Sequence, residues 1–183
     1  MGNGVETHWR CFWGAVLTRS SSVGLARALA GHQAHAGLRW TPRENWHVTL
    51  CFFGDVAVPR VQQLIQRGRQ HAWSGKLTLT VDGVRPFPSR RSALLAVCFD
   101  ASDALSRWAS LLGKDADAAG VAFDRRPLKP HLTLARSRNR KPITRPPEIR
   151  LAHSLVCDRI CLFRSELGSS GARYHPLVTI RAP

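Results

Sequence analysis

Two four-residue words carry the chemistry open to this sequence: His47-Val48-Thr49-Leu50 and His131-Leu132-Thr133-Leu134, 84 positions apart. Each opens an apolar run of strand type. In a strand, residues i and i+2 share a face, so each word sets an imidazole beside a hydroxyl. One word is half a site; two, facing each other across a cleft, surround a volume suited to a phosphate. Imidazole exchanges protons near neutrality, so one neutral ring serves as base while a protonated partner serves as acid. Such a pair can cleave a phosphoester with neither metal nor cofactor, the Thr hydroxyls donating to the non-bridging oxygens where charge builds up. A single His at a strand start is ordinarily a capped or solvated residue. With eight His in the chain, chance repeats Thr-Leu behind two of them on the order of once in a thousand sequences. Leu50 and Leu134 are read as core residues without a chemical role.

The elements that must position these words follow from periodicity. Arg10 to Leu17 reads as a strand, and Ser20, Ser21 and Ser22 offer N-caps for a helix to about His35. Val48 to Phe53 is a strand closed by a turn at Gly54-Asp55. Pro59 starts a helix ending near Gly75. Leu77, Leu79 and Val81 alternate with polar residues and are expected to pair with Ala93 to Phe99 as a hairpin. Ser102 or Asp103 caps a helix to about Ala119. Leu132 to Ala135, Ser154 to Glu166 and Arg173 to Ile180 are strands, the last two joined by a turn at Gly168 to Gly171. Hairpins rather than regular strand-helix alternation predict an α+β fold with largely antiparallel sheets.

Composition narrows the class. The 183 residues, 44% hydrophobic and 21% charged, suit one globular domain spanning 1–183 and exclude a disordered or fibrous chain. No apolar stretch approaches the roughly 20 residues of a membrane span, and Met1 to Trp9 lacks a secretory pattern, so a cytoplasmic, membrane-free protein is expected. Five Cys in apolar runs predict free thiols, and Cys157 and Cys161 lack the second pair a zinc site needs. Neither GxGxxG nor GxxxxGK[ST] occurs. The net charge of +15 favours polyanions, although the excess of Arg over Lys also fits a GC-rich coding bias.

The residues resemble a known family, the two-histidine phosphoesterases, and within it the RNA 2',3'-cyclic phosphodiesterases, also called 2'-5' RNA ligases. Arg39-Trp40-Thr41-Pro42-Arg43-Glu44-Asn45-Trp46-His47 is similar to the lead-in to its first motif, and Phe52-Phe53-Gly54-Asp55 to its exit. Pro130 to Arg136 is similar to the second motif. Leu162, Ser165, Leu167, Gly171, Tyr174 and Leu177 resemble the final hairpin, so the likeness covers nearly the whole chain. Cys51 and Phe53 depart from the more usual Ala-like residue and Leu, and the segment from Arg136 to Pro147 is unusually basic.

The resemblance implies a bilobal, pseudo-twofold α+β fold whose two mainly antiparallel sheets face a central cleft, with helices outside. It implies metal-independent hydrolysis of RNA 2',3'-cyclic phosphate ends to 2'-phosphates, with reverse 2'-5' ligation in some members. His131 would activate water and His47 would protonate the departing 3'-oxygen. Thr49 and Thr133 would bind phosphoryl oxygens, and Arg136 would add a fixed, fork-shaped charge. Arg126, Lys129, Arg138 and Arg140 are candidate RNA contacts, with solvated charge as the alternative reading. No cofactor or metal is implied; the expected partner is RNA with a cyclic end or a small cyclic nucleotide, and the expected state is a monomer. Three other readings stay open: action on small cyclic nucleotides or 2'-5' oligonucleotides, a non-catalytic RNA-binding module, and a metallo-hydrolase.

Overall fold

The computed structural model describes residues 7–73, 75–168 and 171–182. Its elements are β1 (His8–Leu17), α1 (Arg19–Leu29), β2 (Leu38–Trp40), β3 (Val48–Ala57), α2 (Val58–Gln70), β4 (Leu77–Pro86), β5 (Leu94–Phe99), α3 (Asp103–Ala118), β6 (His131–Ser137), β7 (Ser154–Gly168) and β8 (Gly171–Arg181). This is the α+β class, with every strand pairing antiparallel.

The 84-residue offset between the two words extends to the elements around them. Shifting β1, α1 and β3 by it lands on β5, α3 and β6. Even the caps correspond: the Thr18 hydroxyl accepts from Ser21 N–H at 3.2 Å, and the Ser102 hydroxyl accepts from Leu105 N–H at 3.2 Å. Each satisfies an amide that the first helical turn leaves unpaired. The strands fall into two groups of matching order, β3-β1-β7 extended by β8, and β6-β5-β4 with β2 added on β6. The groups are stitched together at two places. Leu77 to Thr80 of β4 pair with Cys157 to Ser154 of β7, and Val48 pairs with Leu132. The hydrogen-bonded path therefore closes on itself.

Several boundaries differ from those read in the sequence. Thr18, not one of the serines behind it, caps α1; Ser21 Oγ is engaged by Val156 N–H instead. The helix gives way to a 3₁₀ turn at Ala30–His32. Gly54-Asp55 is no turn: Gly54 takes a positive φ of 71° where the β1–β3 register shifts, and the strand runs on to Ala57. The helix begun by Pro59 stops at Gln70, because His71 is extended and the Trp73 indole folds back to the Gly68 carbonyl at 2.9 Å. β2 has only three residues, too few for periodicity to reveal. The 77–86 and 94–99 strands do pair as a hairpin. In the turn between β7 and β8, residues 169 and 170 lie outside the described residues, as do residues 1–6 of the amino-terminal segment.

One core runs beneath both strand groups and contains Trp13, Val48, Leu50, Val97, Leu132, Leu134 and Leu162. Trp13, Trp46, Trp73 and Trp108 are all buried in it. The five cysteines are buried free thiols; burial raises Cys11, Cys51 and Cys157 to about 12. Among the described residues no helix is long and apolar enough to cross a membrane.

α2 packs so tightly that it has room only for Gly68, where a Cβ would sit 2.8 Å from Trp13 Cζ2. Trp13 is 0% exposed and cannot swing away. Gly68→Ala should therefore destabilise the protein despite its gain in helix propensity, by about 1–2 kcal/mol net. Thermal denaturation should show a midpoint several degrees lower, whereas an unchanged or raised midpoint would mean that the indole yields.

Candidate active site

The Val48–Leu132 pair sets the site. Both side chains are buried at 0% exposure, so the residues on either side of each must point to the opposite face. Extending an antiparallel register by one residue each way puts His47 opposite Thr133 and His131 opposite Thr49. On that extended register the four residues lie at the corners of a square with the two histidines on one diagonal, where backbone positions are about 7–8 Å apart. His47 and His131 are close enough for the charge of one to depress the pKa of the other.

Each imidazole is oriented the same way. His47 Nδ1 lies 2.7 Å from the Asn45 carbonyl, and His131 Nδ1 lies 2.9 Å from the Lys129 carbonyl. A carbonyl only accepts, so Nδ1 carries the hydrogen in both rings and Nε2 is left to give or take a proton. The surroundings differ. His47 sits in an aromatic box, 4.7 Å from the ring centre of Phe12, 5.7 Å from Phe163 and 5.0 Å from an edge-on Tyr174. His131 stacks on Phe87 at 3.9 Å. Burial is the chief reason His47 is lowered to about 4, with the carbonyl bond opposing and His131 adding to the fall. His131 is lowered too, by burial first and by the Arg136 charge, against its own carbonyl bond. Tyr174 is raised by burial, so its phenol stays protonated.

Arg136 reaches this face through an irregularity. Leu95 lies opposite Ala135 and Ala96 opposite Thr133, so Leu134 is an extra residue in β6. A bulge reverses the alternation beyond it. Arg136, an even-numbered position that a regular strand would turn toward the core with Leu132, is instead exposed beside buried Ala135. Its charge acts on both His131 and Tyr174. β3 bulges at the matching residue, Leu50, between the Gly14–Thr49 and Trp13–Cys51 pairs. There the residue 84 places before Arg136 is Phe52.

A cleft of about 570 Å³ opens on the His131 side. It is bordered by Thr49 and His131, walled by Phe52, Phe87 and Phe123, and rimmed by Arg126 and Lys129. Arg126 is exposed and paired with Asp124, its Nε donating to Oδ1 at 2.9 Å. Arg138 and Arg140 are exposed beyond β6 and are not among the described residues lining the cleft; Arg138 Nε donates to the Leu38 carbonyl at 3.1 Å. The structure thus groups His47, His131, Thr49, Thr133 and Arg136, puts Arg126 and Lys129 at the rim, and leaves Arg138 and Arg140 outside. No three His, Cys, Asp or Glu side chains among the described residues converge as a metal-binding group.

Gly14 was not singled out from sequence. A Cβ there would meet His47 Cδ2 at 3.2 Å, so its missing side chain is the space the ring occupies. A glycine inside an apolar strand signals just such a close approach. The site phenylalanines gave no comparable signal, since apolar aromatics in strands read as core.

A family model described as LigT like Phosphoesterase matches the chain twice, over residues 19–98 and 95–174. The chain belongs to the LigT-like phosphoesterase family. Two matches in tandem accord with a chain built of two similar halves. Among family relatives, the RNA 2',3'-cyclic phosphodiesterase of Escherichia coli (strain K12) is 26% identical over 134 residues, 73% of this chain and 74% of that protein. Two solved structures of E. coli LigT share the fold. The apo form aligns with a TM-score of 0.75 at 23% identity, covering 95% of this chain and 97% of that one. The form complexed with 3'-AMP gives 0.75 and 23%, covering 96% and 98%.

Proposed function

We propose that this LigT-like phosphoesterase hydrolyses RNA 2',3'-cyclic phosphate ends to 2'-phosphates, using His47 and His131 as a proton-transfer pair. The observation that carries the reading is the pair of Nδ1-anchored imidazoles on one diagonal with two threonines on the other. Water attacks phosphorus as one Nε2 takes its proton; the P–O3' bond breaks as the other Nε2 protonates O3'. The products are a 2'-phosphomonoester and a 3'-hydroxyl. Thr49 and Thr133 donate to the non-bridging oxygens, and Arg136, re-aimed by the Leu134 bulge, holds the same charge from the side. The cleft beside His131 takes the nucleoside, its base against Phe52 or Phe123, with Lys129 near a neighbouring phosphate. The name of the E. coli relative supports the substrate class, and the net charge of +15 suits a polyanion.

Incubation with nucleoside 2',3'-cyclic phosphates and cyclic-ended oligonucleotides, with the product read by phosphorus NMR, tests this directly. A 2'-phosphate is expected; a 3'-phosphate, or no turnover of either substrate, would overturn it. A mononucleotide turned over better than the oligonucleotide would move the substrate class to small cyclic nucleotides.

The lowered imidazoles fix the direction of the pH dependence. Activity of the free enzyme needs one proton on the pair, and both groups lose theirs below the ordinary 6.5. kcat/KM should therefore peak on the acid side, between about 4 and the His131 pKa. Above that it should fall roughly tenfold per pH unit. Measurement from pH 4 to 9 checks this, and an optimum at pH 8 would contradict it.

A further inference from the structure

The two imidazoles are oriented by equivalent carbonyls, yet those carbonyls are held by different means. In the second half Pro130 follows Lys129 directly, and a proline confines the residue before it to extended backbone. That alone restrains the Lys129 carbonyl under His131. The residue 84 places before Pro130 is Trp46, which imposes no such limit. Here the backbone comes off a short 3₁₀ turn at Arg43–Asn45, with Asn45 N–H donating to the Pro42 carbonyl at 2.9 Å. Within that turn the Asn45–Trp46 peptide is tethered by one bond, Trp46 N–H donating to the Arg43 carbonyl at 3.1 Å. The Asn45 side chain does reach outward: Nδ2 donates to the Ala172 carbonyl of β8 at 3.1 Å. The acceptor is a carbonyl, so the amide must present its nitrogen and the assignment is unambiguous.

We propose that Asn45 is a positioning residue that clamps the carbonyl orienting His47 to the β7–β8 hairpin, doing for the first half what Pro130 does for the second. Its two bonds act in series. The side chain fixes Asn45 to Ala172, and the fixed Asn45 carbonyl holds His47 Nδ1 at 2.7 Å. Ala172 lies two residues before Tyr174, whose ring meets the same imidazole edge-on, so one strand holds His47 by its anchor and by its flank. Removing the amide leaves the peptide on the single Trp46–Arg43 bond, about which it can tilt. The ring then samples the tautomer with hydrogen on Nε2, which cannot accept a proton there, and its imidazolium form is no longer held with Nε2–H aimed at O3'. A misaimed group costs up to about a hundredfold in rate.

The role of His47 here rests on the function proposed above. The test pairs turnover with histidine nitrogen NMR on the intact protein, and His131 serves as the internal reference. Asn45→Ala should lower kcat about ten- to a hundredfold with KM nearly unchanged. It should convert the His47 signal from the pure Nδ1–H form to a tautomer mixture and leave His131 unmoved. Asn45→Leu, which keeps the volume and loses the donor, should behave alike and serves where the alanine variant folds poorly. A His47 tautomer unchanged in both variants overturns the clamp, as does a mixed tautomer with full turnover. If the wild-type protein proved inert toward cyclic phosphates, the proposed reaction would fall, while the nitrogen spectra would still decide for or against the clamp.

Discussion

His47→Ala should lower turnover of a 2',3'-cyclic phosphate by about two to four orders of magnitude, and His131→Ala should do the same, each with a modest change in KM. The size follows from the step each ring carries: without it, water or O3' must exchange a proton with solvent in the transition state. Neither change should unfold the chain, since both imidazoles are only half-buried and lie on the face opposite the 0% exposed Val48 and Leu132. The residual pH profiles separate the roles. The resemblance to two-histidine enzymes gives the base to His131, so H131A should lose the acidic limb and H47A the alkaline one. In the free site His47 is the more strongly lowered ring, and a lone proton resides on His131. The resemblance-based division therefore requires the bound phosphate to raise His47; interchanged limbs would assign the base to His47. A tenfold loss or less from both substitutions would end the paired acid-base account.

Thr49→Val and Thr133→Val should each cost about a hundredfold or more in kcat. Valine matches threonine in shape and strand propensity, so β3 and β6 should keep their bulges and only the hydroxyl donor is lost. Serine at either place retains the donor and should recover most of the rate. The comparison matters because the register puts the two threonines on one diagonal, equivalent about the proposed position of the phosphorus. If one valine variant kept full activity while its counterpart did not, the phosphate would lie against one strand rather than between two. Steady-state kinetics on a cyclic mononucleotide read this without help from contacts to a longer chain.

Much of this site was visible in the residues themselves, for definite reasons. His-x-Thr is a period-2 pattern, and its recurrence 84 positions on marked both strands and set them facing one site; that the two strands pair directly, at Val48 and Leu132, it did not tell. The β4–β5 hairpin and the capped α3 announced themselves by alternation and by Ser102. What was hidden depends on counting residues across two strands. The bulges at Leu50 and Leu134 exist because β1 and β5 have one residue fewer at those points, and no single strand records that. Arg136 could be named by resemblance, but a plain alternation turns it the wrong way. Asn45 read as part of a motif, yet its partner at Ala172 is 127 residues distant. Phe12, Phe87 and Phe163 were indistinguishable from core, because an apolar ring against an imidazole and one against leucine leave the same trace. The Gly54-Asp55 turn failed because Gly54 serves a bulge in a strand that continues through it.

The closed path of strands bears on how substrate comes and goes. The first residues of β7 pair with β4 and Val48 of β3 pairs with Leu132 of β6, so bending one half away from the other would break two sets of ladder bonds at once. A clamshell motion is therefore costly. On the proposed function, the groups that would react stand ready in an open trough, through which an RNA terminus could slide with its upstream nucleotides trailing free. Such a catalyst should show turnover insensitive to solvent viscosity once saturated, its slow step being bond making at phosphorus rather than a swinging door.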